Sequence, residues 1–243
     1  MKILAIETST NACSAVLLEG EQQDFSCVER FEMAPRQHTQ LILPMIDSVL
    51  AEAGYDIKQM DALALGIGPG AFTGVRVATG VIQAIAYGAD LPVAQISSLA
   101  ALAQGVYREQ AYAAQYSQLL VANDARMDEI YFGRYEIKTG FMTLNHQERV
   151  LKPEALESVL DASIRLDSSW TTIGNGWTVY DEALSTIREQ CSELGNEYFY
   201  PHARDVAYLA LRDVESANLV SAEQVSPIYL RDNVAKKTKK AMV

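Results

Sequence analysis

One stretch constrains this chain more than any other: Gly66-Ile67-Gly68-Pro69-Gly70-Ala71-Phe72-Thr73-Gly74-Val75-Arg76. Before it, Leu63-Ala64-Leu65 and Ile67 read as a short buried strand. After it, Val75, Ala78, Ile82, Ile85 and Ala86 recur at the spacing of one helix face. Thr73 is the predicted N-cap of that helix. Glycines at a strand-to-helix junction tolerate positive φ and let a neighbour come close to the free N–H groups of the helix start. That neighbour is either an anionic group or another piece of the same backbone, and both readings stand at this point. A dinucleotide loop fits poorly, because Pro69 interrupts the pattern and no acidic residue ends the next strand, Val93-Ala94-Gln95-Ile96. A Walker loop is excluded, since no Gly-Lys-Ser/Thr occurs.

The 243 residues, 49% of them hydrophobic, suffice for one large domain or two small ones sharing a core. No apolar run approaches the ~18 residues of a membrane span. Glu7 follows the Met1-Lys2-Ile3-Leu4 start too soon for a signal-peptide core, so the expected location is the cytoplasm. Cys13, Cys27 and Cys191 show no Cys-x-x-Cys spacing, which suggests buried apolar thiols in place of a disulfide framework or a zinc ribbon. Twenty Lys and Arg against 31 Asp and Glu leave a net charge of −11, which repels a nucleic-acid backbone. Direct RNA binding by the free chain is therefore disfavoured.

In chain order, residues 2–8 and 12–18 read as a hairpin around a polar Thr8-Ser9-Thr10-Asn11 turn, with 24–31 as a third antiparallel strand. The hydroxyls and amides of such a turn either cradle a phosphate or bond among themselves. His38 to Ala53 reads as a helix with a kink at Pro44. Residues 73–87 form the next helix and 91–96 a strand, and Ser97 or Ser98 caps a helix running to Ala103. From about Gly105 the architecture begins again without repeating the sequence. Strands are expected at 119–122, 129–135 and 148–151, with Asn123-Asp124-Ala125-Arg126 at the turn. Helices are expected at 153–160, 180–194 and 204–211, and a strand at 171–173 runs into Gly174-Asn175-Gly176. Lys236-Lys237-Thr238-Lys239-Lys240 has no apolar face and reads as a disordered tail.

Four separated motifs carry a resemblance: Ile3-Leu4-Ala5-Ile6-Glu7-Thr8-Ser9, Arg36-Gln37-His38-Thr39-Gln40-Leu41-Ile42-Leu43-Pro44, the glycine junction, and Pro227-Ile228-Tyr229-Leu230-Arg231. Together, and in this order, they resemble the TsaB (YeaZ) family over nearly the full length. The resemblance implies an α/β fold of the actin/Hsp70/sugar-kinase (ASKHA) type. Its lobes would span 1–105 and 106–232, each a mixed sheet flanked by helices, followed by a flexible basic tail at 233–243. It also implies a non-catalytic role in N6-threonylcarbamoylation of adenosine 37 in tRNAs reading A-starting codons. The implied partners are the catalytic paralogue TsaD and the ATPase TsaE, with tRNA reached only through the complex and a homodimer formed when the chain is alone. No cofactor is expected in the isolated chain, and ATP or ADP would enter the complex through TsaE.

Several residues follow from these readings. Thr8, Ser9, Gly68, Gly70, Thr73 and Gly74 are the candidate anion or nucleotide contacts. The second helix carries a second apolar face, Val77, Val81, Ala84 and Gly88, about a third of a turn from the first, and Gly80, Ala84 and Gly88 form a strip of small residues. With Leu41, Met45 and Val49 of the preceding helix this is the candidate partner interface, and the resemblance favours a four-helix bundle there. The alternative is that some of these side chains pack within the lobe. No metal is expected: where the paralogue carries His-x-x-x-His, this chain has Ser98-Leu99-Ala100-Ala101-Leu102. Only His38, His146 and His202 exist, and His38 suits a cap or hydrogen-bond role. A kinase or nucleotide hydrolase of the same fold is the rival. Glu7, Asp124, Asp128 and Glu129 offer carboxylates, but Gly174-Asn175-Gly176 is a thin second loop and neither junction holds a lysine. No protease constellation is present, and no catalytic residue is assigned.

Overall fold

The computed structural model describes residues 1–21, 24–109, 116–160, 166–194 and 200–231. The first lobe contains β1 (Lys2–Glu7), β2 (Ala12–Glu21), β3 (Asp24–Met33), α1 (His38–Ala53), β4 (Ala62–Gly66), α2 (Phe72–Ala89), β5 (Val93–Ile96) and α3 (Ser98–Glu109). The second contains β6 (Gln118–Arg126), β7 (Glu129–Lys138), β8 (Phe141–Leu144), β9 (Arg149–Leu151), α4 (Leu156–Val159), β10 (Trp170–Ile173), α5 (Gly176–Val179), α6 (Asp181–Arg188) and β11 (Ser192–Glu193). A last helix, α7, spans Ala203–Glu215.

The first sheet has the order β3-β2-β1-β4-β5, antiparallel through β3, β2 and β1 and parallel from β1 to β5. The second reads β8-β7-β6-β10-β11 with the same switch from antiparallel to parallel, and β9 also pairs with β7. The architectural repeat expected from the sequence is thus present, and the whole is a two-lobed ASKHA-type α/β fold.

Strand periodicity explains the layers. In β1, Leu4 and Ile6 face α1 and α2, where they meet Ile42, Ile46, Val49, Ala78 and Ile82. Ile3 and Ala5 face the other way and pack with Ala203, Val206, Ala207 and Ala210 of α7. Both faces are covered, which is why the strand reads as a nearly continuous apolar run. The second sheet is covered by α3 on one face, through Leu99, Leu102 and Val106, and by Leu156, Trp177, Leu184 and Ile187 of α4, α5 and α6 on the other. Among the described residues no helix is long and apolar enough to cross a membrane.

Several expectations need correction. α2 starts at Phe72 with Ala71 at the cap position and no side-chain cap, and Thr73 is exposed. A backbone bond from Ala71 N–H to the Ser9 carbonyl orders the helix entry, and the helix begins one residue before Thr73. β6 runs through Arg126, which moves the turn to Met127 and Asp128. β8 was not foreseen. The helix expected at 180–194 ends at Arg188, whose guanidinium joins Asp181 to Glu193 as the chain turns into β11. α3 continues to Glu109, across the expected boundary at 105, and α7 packs on the first sheet although 106–232 was assigned to the second lobe. The reason is the apolar back of the first sheet, which α1 and α2 leave uncovered. The basic tail lies outside the described residues.

α7 is tied to α3 by an ion pair. Arg108 Nε lies 2.8 Å and its Nη2 3.2 Å from the two oxygens of the wholly buried Asp205, and Gly105 leaves room for that carboxylate. Burial pushes the Asp205 carboxyl above its usual range, with Arg108 pulling the other way. Arg108→Ala leaves a buried charge unpaired and is expected to cost about 3–5 kcal/mol of stability at neutral pH. A carboxyl with a raised folded pKa favours the fold on the acid side and loses that benefit as pH rises through the folded value. The deficit should therefore shrink on acidification from about pH 8 to about pH 5, as denaturant titrations across that range would read.

Candidate functional site

The β1–β2 turn lies directly against the glycine junction. Thr8 Oγ1 donates to the Gly74 carbonyl at 2.8 Å, and Ala71 N–H donates to the Ser9 carbonyl at 2.6 Å. A Cβ on Gly74 would stand 2.0 Å from the Thr8 carbonyl oxygen, and one on Gly70 would stand 2.4 Å from that of Ser9. Only a residue without a side chain permits these approaches. Beneath them Glu7 is buried. It accepts from Ser9 N–H at 2.5 Å and from Ser98 Oγ at 2.8 Å, while Ser98 Oγ accepts from Gly68 N–H at 3.2 Å. Burial pushes the Glu7 carboxyl above its usual range, against the pull of these hydrogen bonds.

The second lobe repeats the device with fewer parts. Gly174 and Gly176 pack on the Ala122 carbonyl. Asp124 N–H donates to Asn175 Oδ1 at 2.9 Å, and Asn175 N–H to Asn123 Oδ1 at 3.3 Å. Tyr180 donates to Asp124 at 2.9 Å, and burial together with this carboxylate pushes its hydroxyl up to about 12.

Between the two turns is a cleft of about 600 Å³. Ser9, Asn11, Gly70 and the start of α2 line one wall, Asn123, Asp124 and Tyr131 the other, and Tyr229 and Arg231 the mouth. Of the candidate anion contacts, Ser9 and Gly70 reach the cleft. Among the described residues the buried Ser9 Oγ has no partner at hydrogen-bond geometry. Thr8, Gly68 and Gly74 serve the packing behind it, and Thr73 lies outside its lining. The four carboxylates do not converge. Glu7 is sealed under the junction, Asp124 is held by Tyr180 and Arg126, Glu129 is paired with Arg231, and Asp128 stands in the hairpin turn.

Where the paralogue would carry metal-binding histidines, Ser98 is bonded to Glu7 and Leu102 is packed in the second-lobe core. Among the described residues no group of three His, Cys, Asp or Glu side chains is placed to hold a metal ion. His38 contacts the Ala12 carbonyl at 3.1 Å, the hydrogen-bond role expected of it. Of the three cysteines expected to be buried, Cys13 is, its thiol pushed up to about 11 mainly by that burial, whereas Cys191 is half-buried and Cys27, on the outer strand β3, is exposed.

The candidate partner face divides. Val49 is wholly buried and Met45 nearly so, both in the first-lobe core, so these two belong to the lobe's own packing. An even helical spacing in the sequence does not reveal which apolar positions the sheet takes. Leu41, Val77 and Val81 are half-buried, and Ala84 and Gly88 are exposed. Leu43, 51% exposed, and Tyr87, 76% exposed, extend the surface and were missed, because single apolar residues off the main stripe carry no periodic signal. Among the described residues a Cβ added to Gly80 or Gly88 would meet nothing within 4 Å.

Residues 32–239 match the family model described as TsaD: tRNA N6-adenosine threonylcarbamoyltransferase. The chain is 37% identical over 240 residues to the Escherichia coli tRNA threonylcarbamoyladenosine biosynthesis protein TsaB, covering 97% of this chain and 96% of that protein. The Haemophilus influenzae protein of the same name is 35% identical, covering 96% and 95%. The crystal structure of YeaZ from Pseudomonas aeruginosa superposes with a TM-score of 0.81 at 39% identity, over 94% of this chain and 99% of that one. With this likeness in sequence and fold extending over nearly the whole length, the chain belongs to the TsaB (YeaZ) family of tRNA threonylcarbamoyladenosine biosynthesis proteins.

Proposed function

We propose that this chain is the non-catalytic subunit of the assembly that places the threonylcarbamoyl group on adenosine 37 of tRNA. It pairs with the catalytic paralogue TsaD through α1 and α2, and the same face forms a homodimer when the chain is alone. ATP turnover belongs to the TsaE partner, tRNA is reached only in the complex, and the work is done in the cytoplasm. The observation that carries this reading is the outer face of α2. Gly80, Ala84 and Gly88 lie four apart on it, all exposed, and the two glycines have open space where a side chain would stand. Glycine inside a helix costs about 1 kcal/mol relative to alanine. Two such residues without an intrachain reason fit a surface that another helix approaches closely, near the short end of the usual ~8–10 Å separation. Exposed Leu43 and Tyr87 add apolar area to that surface. The site supports the non-catalytic part of the reading. The metal-ligand positions are filled by Ser98 and Leu102, and the carboxylates are dispersed.

Two substitutions separate this reading from a helix face that merely tolerates small residues. Gly80→Ala with Gly88→Ala should stabilise the dilute monomer by about 2 kcal/mol, from helix propensity alone, while weakening homodimer and TsaD association. Denaturation at low concentration and titration of the partner read the two effects, and a stabilised chain with undiminished association contradicts the proposal. Ala84→Arg, at an exposed position, should leave a folded monomer that neither dimerises in sedimentation nor binds TsaD, through bulk and charge at the seam. Retained dimer and unchanged TsaD affinity place the interface elsewhere.

A further inference from the structure

We propose that residues 226–231 form an inter-lobe clamp, in which Arg231 holds the tip of the β6–β7 hairpin in a strained turn and so fixes the spacing of the lobes across the cleft. The strap is anchored on the first lobe at several points. Ser226 N–H donates to Gln95 Oε1 at 2.8 Å, Gln83 donates to the Val225 carbonyl at 2.9 Å, and Ile228 N–H donates to the Ile67 carbonyl of the glycine junction at 2.9 Å. Arg76 Nε then donates to the Tyr229 hydroxyl at 2.8 Å. The Arg76 guanidinium lies 3.7 Å from the Phe72 ring centroid and 5.7 Å from that of Tyr229. This cation, over the Phe72 ring and bonded to the Tyr229 hydroxyl, ties the strap to the first turn of α2.

Two residues further on, the guanidinium of Arg231 is spent entirely on the second lobe. Nε donates to Glu129 at 2.9 Å, and Nη2 donates to the same carboxylate, to the Ala125 carbonyl at 3.1 Å and to the Arg126 carbonyl at 3.2 Å. Nη1 lies 3.4 Å from Met127 Sδ. These partners span the hairpin tip from one strand to the other. Arg126, Met127 and Asp128 all lie in the left-handed region, with φ of 60°, 59° and 59°. Three successive residues with side chains are disfavoured there, and such a turn persists where its surroundings over-determine it. Arg231 supplies that constraint, together with an N–H bond from Arg126 to Asp124 at 2.8 Å. A planar fork reaches two carbonyls and a carboxylate at once, which an ammonium group does not.

The tip continues directly into Asp124 and Tyr131, which line the cleft. Holding it against a strap rooted at Ile67 and Phe72 therefore sets the cleft width from within the chain. Lobe spacing becomes a built-in property that needs no bound ligand to establish it.

Hydrogen exchange on the full chain carrying Arg231→Gln tests the clamp. Amides in residues 124–130 should exchange about tenfold faster or more, while those of β10 keep wild-type rates, as local opening requires. Small-angle scattering should show an expanded particle, and Arg231→Lys should loosen the tip nearly as much as Gln. Tip exchange within about twofold of wild type overturns the proposal, and so does an equal acceleration in β10, which makes Arg231 a residue of global stability. Should Arg231→Gln fail to fold, Glu129→Gln removes the carboxylate charge while keeping the carbonyl contacts. Selective loosening of the tip is then expected, and its absence is equally decisive.

Discussion

The structure depends on the contact between the β1–β2 turn and the glycine junction. At Gly70 and Gly74 two backbone segments far apart in sequence come closer than any side chain permits. The Thr8 hydroxyl and the Ala71 amide join them, and Glu7 satisfies the turn from below. This contact sets where α2 begins, because the bond from Ala71 N–H to the Ser9 carbonyl anchors the residue just before its first turn. Where α2 begins in turn places Phe72 and Arg76 in the lining of the cleft and carries Gly80, Ala84 and Gly88 out to the surface. The two readings of the junction meet here. Most of its glycines serve the chain's own backbone, and Ser9 and Gly70 still open onto the cleft.

Much of this was legible in the residues. The antiparallel first three strands, α1 to the residue, the buried stripe of α2 and the second lobe's repetition all follow from period-two and period-3.6 patterns. Ile85, half-buried, is the one position of that stripe that the sheet does not fully take. What failed depends on tertiary partners. Thr73 has the right chemistry for a cap, but the contact with the neighbouring turn starts the helix one residue earlier. Met45 and Val49 sit on an apolar helix whose sequence does not say which side faces the sheet. The return of α7 to the first lobe leaves no local mark, because its amphipathic pattern suits either sheet. Residues 227–231 stood out as a motif, yet their role depends on a hairpin about a hundred residues away in sequence.

Glycine has two meanings in this chain, and the difference carries the functional argument. At the junction Gly66, Gly70 and Gly74 are explained by an atom a side chain would strike, and Gly68 by its φ of 92°. On the outer face of α2, no atom of the described residues stands where a side chain on Gly80 or Gly88 would. Glycine at such positions weakens its own helix, and the proposed partner interface would account for it. The interior is the second part of the proposal: where the resemblance would place metal ligands stand a core leucine, Leu102, and a serine, Ser98, bonded to the buried Glu7.

The most direct measurement of that claim is reconstituted threonylcarbamoyl transfer to tRNA, with threonylcarbamoyl-adenylate as donor and the subunits added singly and together. The account predicts no modified adenosine with this chain alone, and restored product when TsaD and TsaE are added with it. Turnover by this chain alone, or a reaction by the other subunits that this chain does not enhance, would contradict it.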